Sequence, residues 1–197
     1  MRHATAVRRL RNIADSCARA LTSSGDIPLA AAYAFGPVLD APGDEVEILD
    51  VAFALTMPPS ELPWGIEPPL CHALAELLSL GKAPVRRVWR PASRPVANHL
   101  IHRPLRIWTT AGSDETALNA LAQRQAEHLR LDDPPPHEAR AQRETERAVA
   151  LAHLRHIRDH YHDPLWRRPL RHCGQRPDDY LWHALDGFLE LHDAPVT

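Results

Sequence analysis

The segment Tyr33–Leu55, YAFGPVLDAPGDEVEILDVAFAL, carries a glycine, a turn and several carboxylates in an order that could handle a phosphorylated ligand. A glycine at a strand end, here Gly36, lets backbone N–H groups come close to phosphate oxygens. Glu45 and Glu47 stand two residues apart. On an extended strand that spacing turns both carboxylates to one face, where they could share Mg²⁺ ions bridging a triphosphate. A second register is open, with Asp50 as the second acid and Ile48 in the first position. The two registers use opposite strand faces. The Glu45/Glu47 register is favoured because it supplies a pair, and Asp50 is expected to be buried and paired with an arginine.

Two features weaken metal chemistry here. Pro37 follows the glycine and removes one N–H donor from any phosphate cradle. The later β-like segments, 85–90 and 100–110, contain no Asp or Glu and offer Arg86, Arg87, Arg90, Arg103 and Arg106 instead. A third metal-binding carboxylate would have to come from elsewhere, such as Glu61 or Glu67.

Three other groups could do chemistry. Asn98 and His99 could meet a phosphate or ribose, with Arg103 as an anion clamp, or they could simply cap a turn. His153, His156 and His160 share a helix face at a spacing that can ligate zinc. They also border the apolar stripe Ala150, Leu154, Ile157 and Tyr161, and no Cys or Glu joins them at ligand spacing, so a border role is favoured. Trp64, in the proline-rich stretch PPSELPWGIEPP, could stack on a base or anchor its loop.

The elements that must position these residues follow from periodicity. Val7, Leu10, Ala14, Cys17 and Leu21 predict an amphipathic helix over 4–22 with Cys17 on its buried face. LAAAYAFG and the run 46–57 predict two strands joined through the turn Pro42-Gly43-Asp44, a hairpin. A short helix over 70–80 follows. Two β-like segments come next, the second interrupted or placed at an edge by Pro104. A helix capped at Ser113 is expected to run to about 131. Helices over 137–162 and 178–191 complete the chain, which is an α+β plan. The divisions are a core over 1–131 and a C-terminal helical extension over 132–197, packed on the core.

Composition limits the function classes. Of 197 residues, 44 % are hydrophobic and 24 % charged, enough for a sizeable core. A formal net charge of −2 gives no general attraction to nucleic acid or to anionic membranes. Lys82 is the sole lysine, and with 19 prolines and abundant alanine the arginine bias reads as bacterial GC-rich coding, so basic patches such as Arg8, Arg9 and Arg11 read as solvated surface. Cys17, Cys71 and Cys173 show neither disulfide nor zinc-knuckle spacing. With no apolar run of bilayer length and no signal-peptide pattern, a cytoplasmic protein is expected.

The order helix, strand, glycine turn, acidic pair and second strand resembles nucleotidyltransferase-like domains of the polymerase-beta type. In those domains a Gly-Ser turn and a D-x-D pair hold nucleotide and metal, and a later strand supplies a third carboxylate. The resemblance implies a mixed sheet flanked by helices, with Gly36, Glu45 and Glu47 lining the site. Pro37 in place of serine and the missing third acid imply a non-catalytic or regulatory binding protein without cofactor. The alternatives are an active Mg²⁺-dependent transferase, in which Glu45 and Glu47 hold metal, and a protein-interaction module. The chain is also similar, over nearly its whole length, to a family of uncharacterised bacterial proteins. That resemblance rests on RHATAVRRLRNIAD, AFGPVL, SELPWG, RPVANHLIHRPLRIW and LWHALDGFLELHDA. Relatives there carry hairpin acids closer to D-x-D and an aromatic where Ala97 stands. It implies a common fold and brings no activity. The expected ligand is a small nucleotide-like molecule, or else a protein partner.

Overall fold

A computed structural model describes residues 1–40, 43–82 and 84–194. The predicted turn position Pro42 lies outside them. The chain forms two compact units, Met1–Met57 with Ala75–Asp133, and Pro58–Leu74 with the chain from Pro134 onward.

In the first unit, helix α1 (His3–Ser24) buries Ala6, Val7, Leu10, Ile13, Ala14 and Cys17 along one stripe, as the spacing predicts. It ends at Gly25, whose positive φ lets its N–H reach the Leu21 carbonyl. Strand β1 (Leu29–Phe35) leads through Gly36 into one helical turn, α2 (Pro37–Asp40), and then into β2 (Leu49–Leu55). The crossover from β2 contains helix α3 (Pro69–Leu77) and returns as β3 (Val85–Pro91). Strands β4 (Leu105–Thr109) and β5 (Gly112–Ser113) and helix α4 (Glu115–Ala122) follow.

These strands form one mixed sheet in the order β3-β2-β1-β4-β5. The predicted hairpin is present: β1 and β2 pair antiparallel, with Phe35 opposite Asp50. The β2–β3 pairing is parallel, which requires a long crossover between them. Every residue of β2 is buried, as expected of a central strand covered on both faces. Helix α1 packs on β1, β4, β5 and α4.

Several predicted boundaries are corrected. Strand β2 begins at Leu49 rather than Val46, because the backbone just before it bonds to the chain start: His3 N–H donates to the Asp44 carbonyl and Val46 N–H to the Met1 carbonyl. Strand β4 begins only after Pro104, since proline cannot donate to the ladder. Helix α4 starts at the Asp114 cap, whose carboxylate accepts the Ala117 N–H at 3.0 Å, and stops at Ala122. There Arg124 turns left-handed, and Gln125 and Arg124 donate to the carbonyls of Ala120 and Leu121, which closes the helix well short of 131.

The second unit is helical: α5 (Pro136–His160), α6 (Pro164–His172) and α7 (Pro177–Asp193). Helix α6 was not predicted, because Pro164 and Pro169 disguise it; the Asp163 carboxylate caps it by accepting the Leu165 N–H. Ile66, Ile157, Leu170, Tyr180 and Ala184 form the core of this unit, with Leu154, Tyr161, Trp166 and Leu181 packed around it.

Candidate functional site

The hairpin acids separate into two settings. Glu45 and Glu47 precede β2 on exposed, non-strand backbone, so they do not form the strand-face pair that their spacing suggests. Asp50 lies inside β2, 1 % exposed, and in register with Arg86 on the parallel strand β3. Arg86 donates from Nε to one carboxylate oxygen of Asp50 and from a terminal nitrogen to the other, each at 2.8 Å. A bidentate guanidinium–carboxylate pair of this kind is both strong and geometrically fixed. The Arg86 guanidinium also lies 5.9 Å from the ring centre of Phe35, the residue opposite Asp50 on β1. Asp50 is thus buried and arginine-paired, as its context predicts.

Gly36 completes this corner. Its φ is +66°, and a side chain there would place Cβ 2.6 Å from a carboxylate oxygen of Asp50. Its carbonyl accepts N–H groups from Leu39 and Asp40, so the turn closes on itself as α2. The glycine is required here by the approach of Asp50.

The residues do not fit a two-metal site. Asp50 is already neutralised by Arg86, and the strand position facing it is arginine where a carboxylate would be needed. Among the described residues, no three His, Cys, Asp or Glu side chains group closely enough to hold a metal ion. Glu61 and Glu67, considered as a third ligand, belong to the second unit.

Asn98, His99 and Arg103 are placed by local ties. The Asn98 side-chain oxygen accepts the N–H groups of Leu100 and Ile101, both at 3.0 Å, the turn-capping arrangement. His99 is half-buried beside it. Arg103 adopts a left-handed backbone (φ 41°), its N–H donates to Asp133, and its guanidinium pairs with Glu127. Arg130, which sequence reasoning passed over, is the hub of this region. Its side chain is only 8 % exposed and donates to Asp40, Glu127 and the Arg103 carbonyl. No local pattern marks it, because its partners lie up to 90 residues away. A shallow cleft beside the start of α4 is lined by Arg106, Thr109, Gly112, Ser113 and Thr116, and by none of the predicted site residues.

In the second unit Trp64 anchors its loop: it is 6 % exposed, and its indole N–H donates to Glu190 at 2.9 Å. Of the three α5 histidines, His156 and His160 lie with ring centres 4.3 Å apart, and His153 packs edge-on against Tyr180. Burial, reinforced by His156, lowers the His153 pKa to about 4. Burial raises the Cys17 thiol to about 12, which removes it as a nucleophile at neutral pH.

A family model described as Domain of unknown function (DUF7711) matches residues 1–197. The chain belongs to this DUF7711 family. No curated protein and no solved structure matches it. Membership of DUF7711 accounts for the similarity along the whole chain. No helix among the described residues is long and apolar enough to cross a membrane.

Proposed function

We propose that this DUF7711 protein is a non-catalytic nucleotidyltransferase-like module that works by binding or regulation. The observation that carries this reading is the Asp50–Arg86 pair. The chain runs helix, strand, glycine turn, second strand and crossover to a later strand. The acid nearest the glycine turn within that frame is sealed by an arginine from the strand that would supply the third carboxylate. With Asp50 and Arg86 neutralising each other, the buried acid needs no metal to balance its charge, which supports a non-catalytic reading. The ligand class is a small nucleotide-like anion, and Gly36, Glu45, Glu47, Asn98, His99 and Arg103 remain the candidates for its contacts.

The test is a thermal-shift screen of nucleotides with and without Mg²⁺, run beside an assay for triphosphate consumption. A ligand that binds only the folded state must raise the midpoint. The expected result is a nucleotide-dependent rise that Mg²⁺ leaves unchanged, with no consumption. Mg²⁺-dependent turnover abolished by Glu47→Gln would establish the transferase instead. A screen in which no nucleotide moves the midpoint would remove the binding role.

A further inference from the structure

Helix α7 buries Tyr180, Ala184, Gly187 and Leu191, so its opposite face looks outward. Trp182, Leu185 and Leu189 lie on that outward face and are 64 %, 37 % and 43 % exposed. Their spacing, i, i+3 and i+7, is that of an apolar seam that packs against another helix. Single exposed leucines are ordinary, but a solvent-facing ridge with a tryptophan at its head marks an interaction surface. Every residue of this ridge belongs to one helix, so the geometry of α7 alone makes it continuous.

One flank of the ridge is acidic. Asp179, Asp186 and Asp193 recur every seven residues and form a column beside it. Asp186 stands four residues after Trp182, and Asp193 four after Leu189, the spacing of surface neighbours on a helix. The other flank carries Leu181 and Phe188, both half-buried. The helix contains no lysine or arginine. Its other two acids are engaged at home: Asp178 accepts the Tyr161 hydroxyl and Glu190 the Trp64 indole. The three column aspartates are exposed, and among the described residues no side chain pairs with them. Asp193 also ends the helix, at the negative pole of its dipole, where a carboxylate is unfavourable.

We infer that the outward face of α7 docks a basic amphipathic helix of another protein, whose apolar stripe covers Trp182, Leu185 and Leu189 and whose arginines or lysines meet the aspartate column. Charge complementarity selects this occupant. A second copy of α7 does not fit. Laid antiparallel, it would set aspartate column against aspartate column. Laid parallel, it would set each column against the Leu181 and Phe188 flank and cover three carboxylates without a cation. A helix with basic residues beside its apolar stripe answers both the ridge and the column.

The test is fluorescence anisotropy of two labelled synthetic peptides against the full chain, in about 0.15 M salt so that loose charge attraction is screened. Each peptide spans about three heptads with leucine at a and d; one carries arginine at e and g, the other glutamate. The arginine peptide is expected to bind at least about tenfold more tightly than the glutamate peptide. Trp182→Ser, at an exposed position, is expected to weaken that binding about tenfold or more. Asp179→Arg with Asp186→Arg and Asp193→Arg is expected to reverse the preference, so that the glutamate peptide binds better. Far-UV circular dichroism shows that each variant is folded. Equal affinity for the two peptides, binding indifferent to Trp182→Ser, or a preference that does not reverse would each overturn the inference. So would a wild type that sediments as a dimer and that Trp182→Ser turns into a monomer, or one that binds phosphatidylcholine vesicles through Trp182 and neither peptide.

Discussion

Arg86 grips both carboxylate oxygens of Asp50 at 2.8 Å, from a position directly in register with it across two parallel strands. The aspartate is buried and the arginine side chain is 48 % exposed, so the pair reaches from the sheet interior to solvent. That geometry makes the corner a structural clamp, and its energetics are open to direct measurement.

Removing one partner leaves an uncompensated buried charge, which costs more than losing the pair together. Arg86→Met should therefore destabilise the fold by about 2–3 kcal/mol, below the range for fully buried pairs because Arg86 is half in water. Adding Asp50→Asn to Arg86→Met should recover part of that loss. A double-mutant cycle in urea checks this, and strict additivity of the two changes would contradict it.

Gly36→Ala should lower stability by about 2–3 kcal/mol, combining left-handed strain with a methyl group driven into Asp50. The carboxylate must move, and Arg86 with it. Combining Gly36→Ala with Asp50→Ala opens the space, so the added effect of the glycine change in that background should shrink to the backbone part alone. Denaturant midpoints of the three variants decide it.

Within the second unit, Gly187 on α7 and Gly65 meet backbone to backbone. A Cβ at Gly187 would stand 2.5 Å from the Trp64 carbonyl oxygen and 2.7 Å from the Gly65 Cα. Alanine ordinarily improves a helix by about 1 kcal/mol over glycine. Here the clash should reverse the sign, giving a net loss of about 1–3 kcal/mol. Displacement of the Trp64 indole from Glu190 should be visible in tryptophan fluorescence.

His153 provides a pH handle. Its pKa is lowered from 6.5 to about 4 in the fold, so the unfolded chain binds its proton first. The stability it contributes is complete above pH 6.5 and is lost as pH falls toward 4. About a few kcal/mol is at stake, given about 1.4 kcal/mol for each pKa unit and some solvent screening at this half-buried site. Urea unfolding at pH 7 and pH 4.5 should show the loss, and His153→Gln should flatten that dependence. His156 stands beside it and adds to the penalty when both are charged.

How much of this was legible in the residues alone divides along physical lines. The stripe of α1, the adjacent strands β1 and β2, the turn-capping alternative for Asn98 and the anchoring alternative for Trp64 are all written in local periodicity and side-chain type. So is the expectation that Asp50, a lone acid within an apolar run, must find an arginine. These depend on residues a few positions apart.

What the tertiary structure decided is which distant groups meet. Asp50 receives Arg86 because a crossover brings β3 alongside β2 in parallel register, and no spacing rule gives that register. Glu45 and Glu47 fall outside the strand because the backbone around them bonds to the first residues of the chain. Arg130 becomes a hub through partners far along the sequence. Helix formation and strand propensity are short-range, whereas register and charge pairing are settled only when the chain closes on itself. The hairpin's residues therefore announced a candidate site, and only their long-range pairing showed that its buried acid is already occupied.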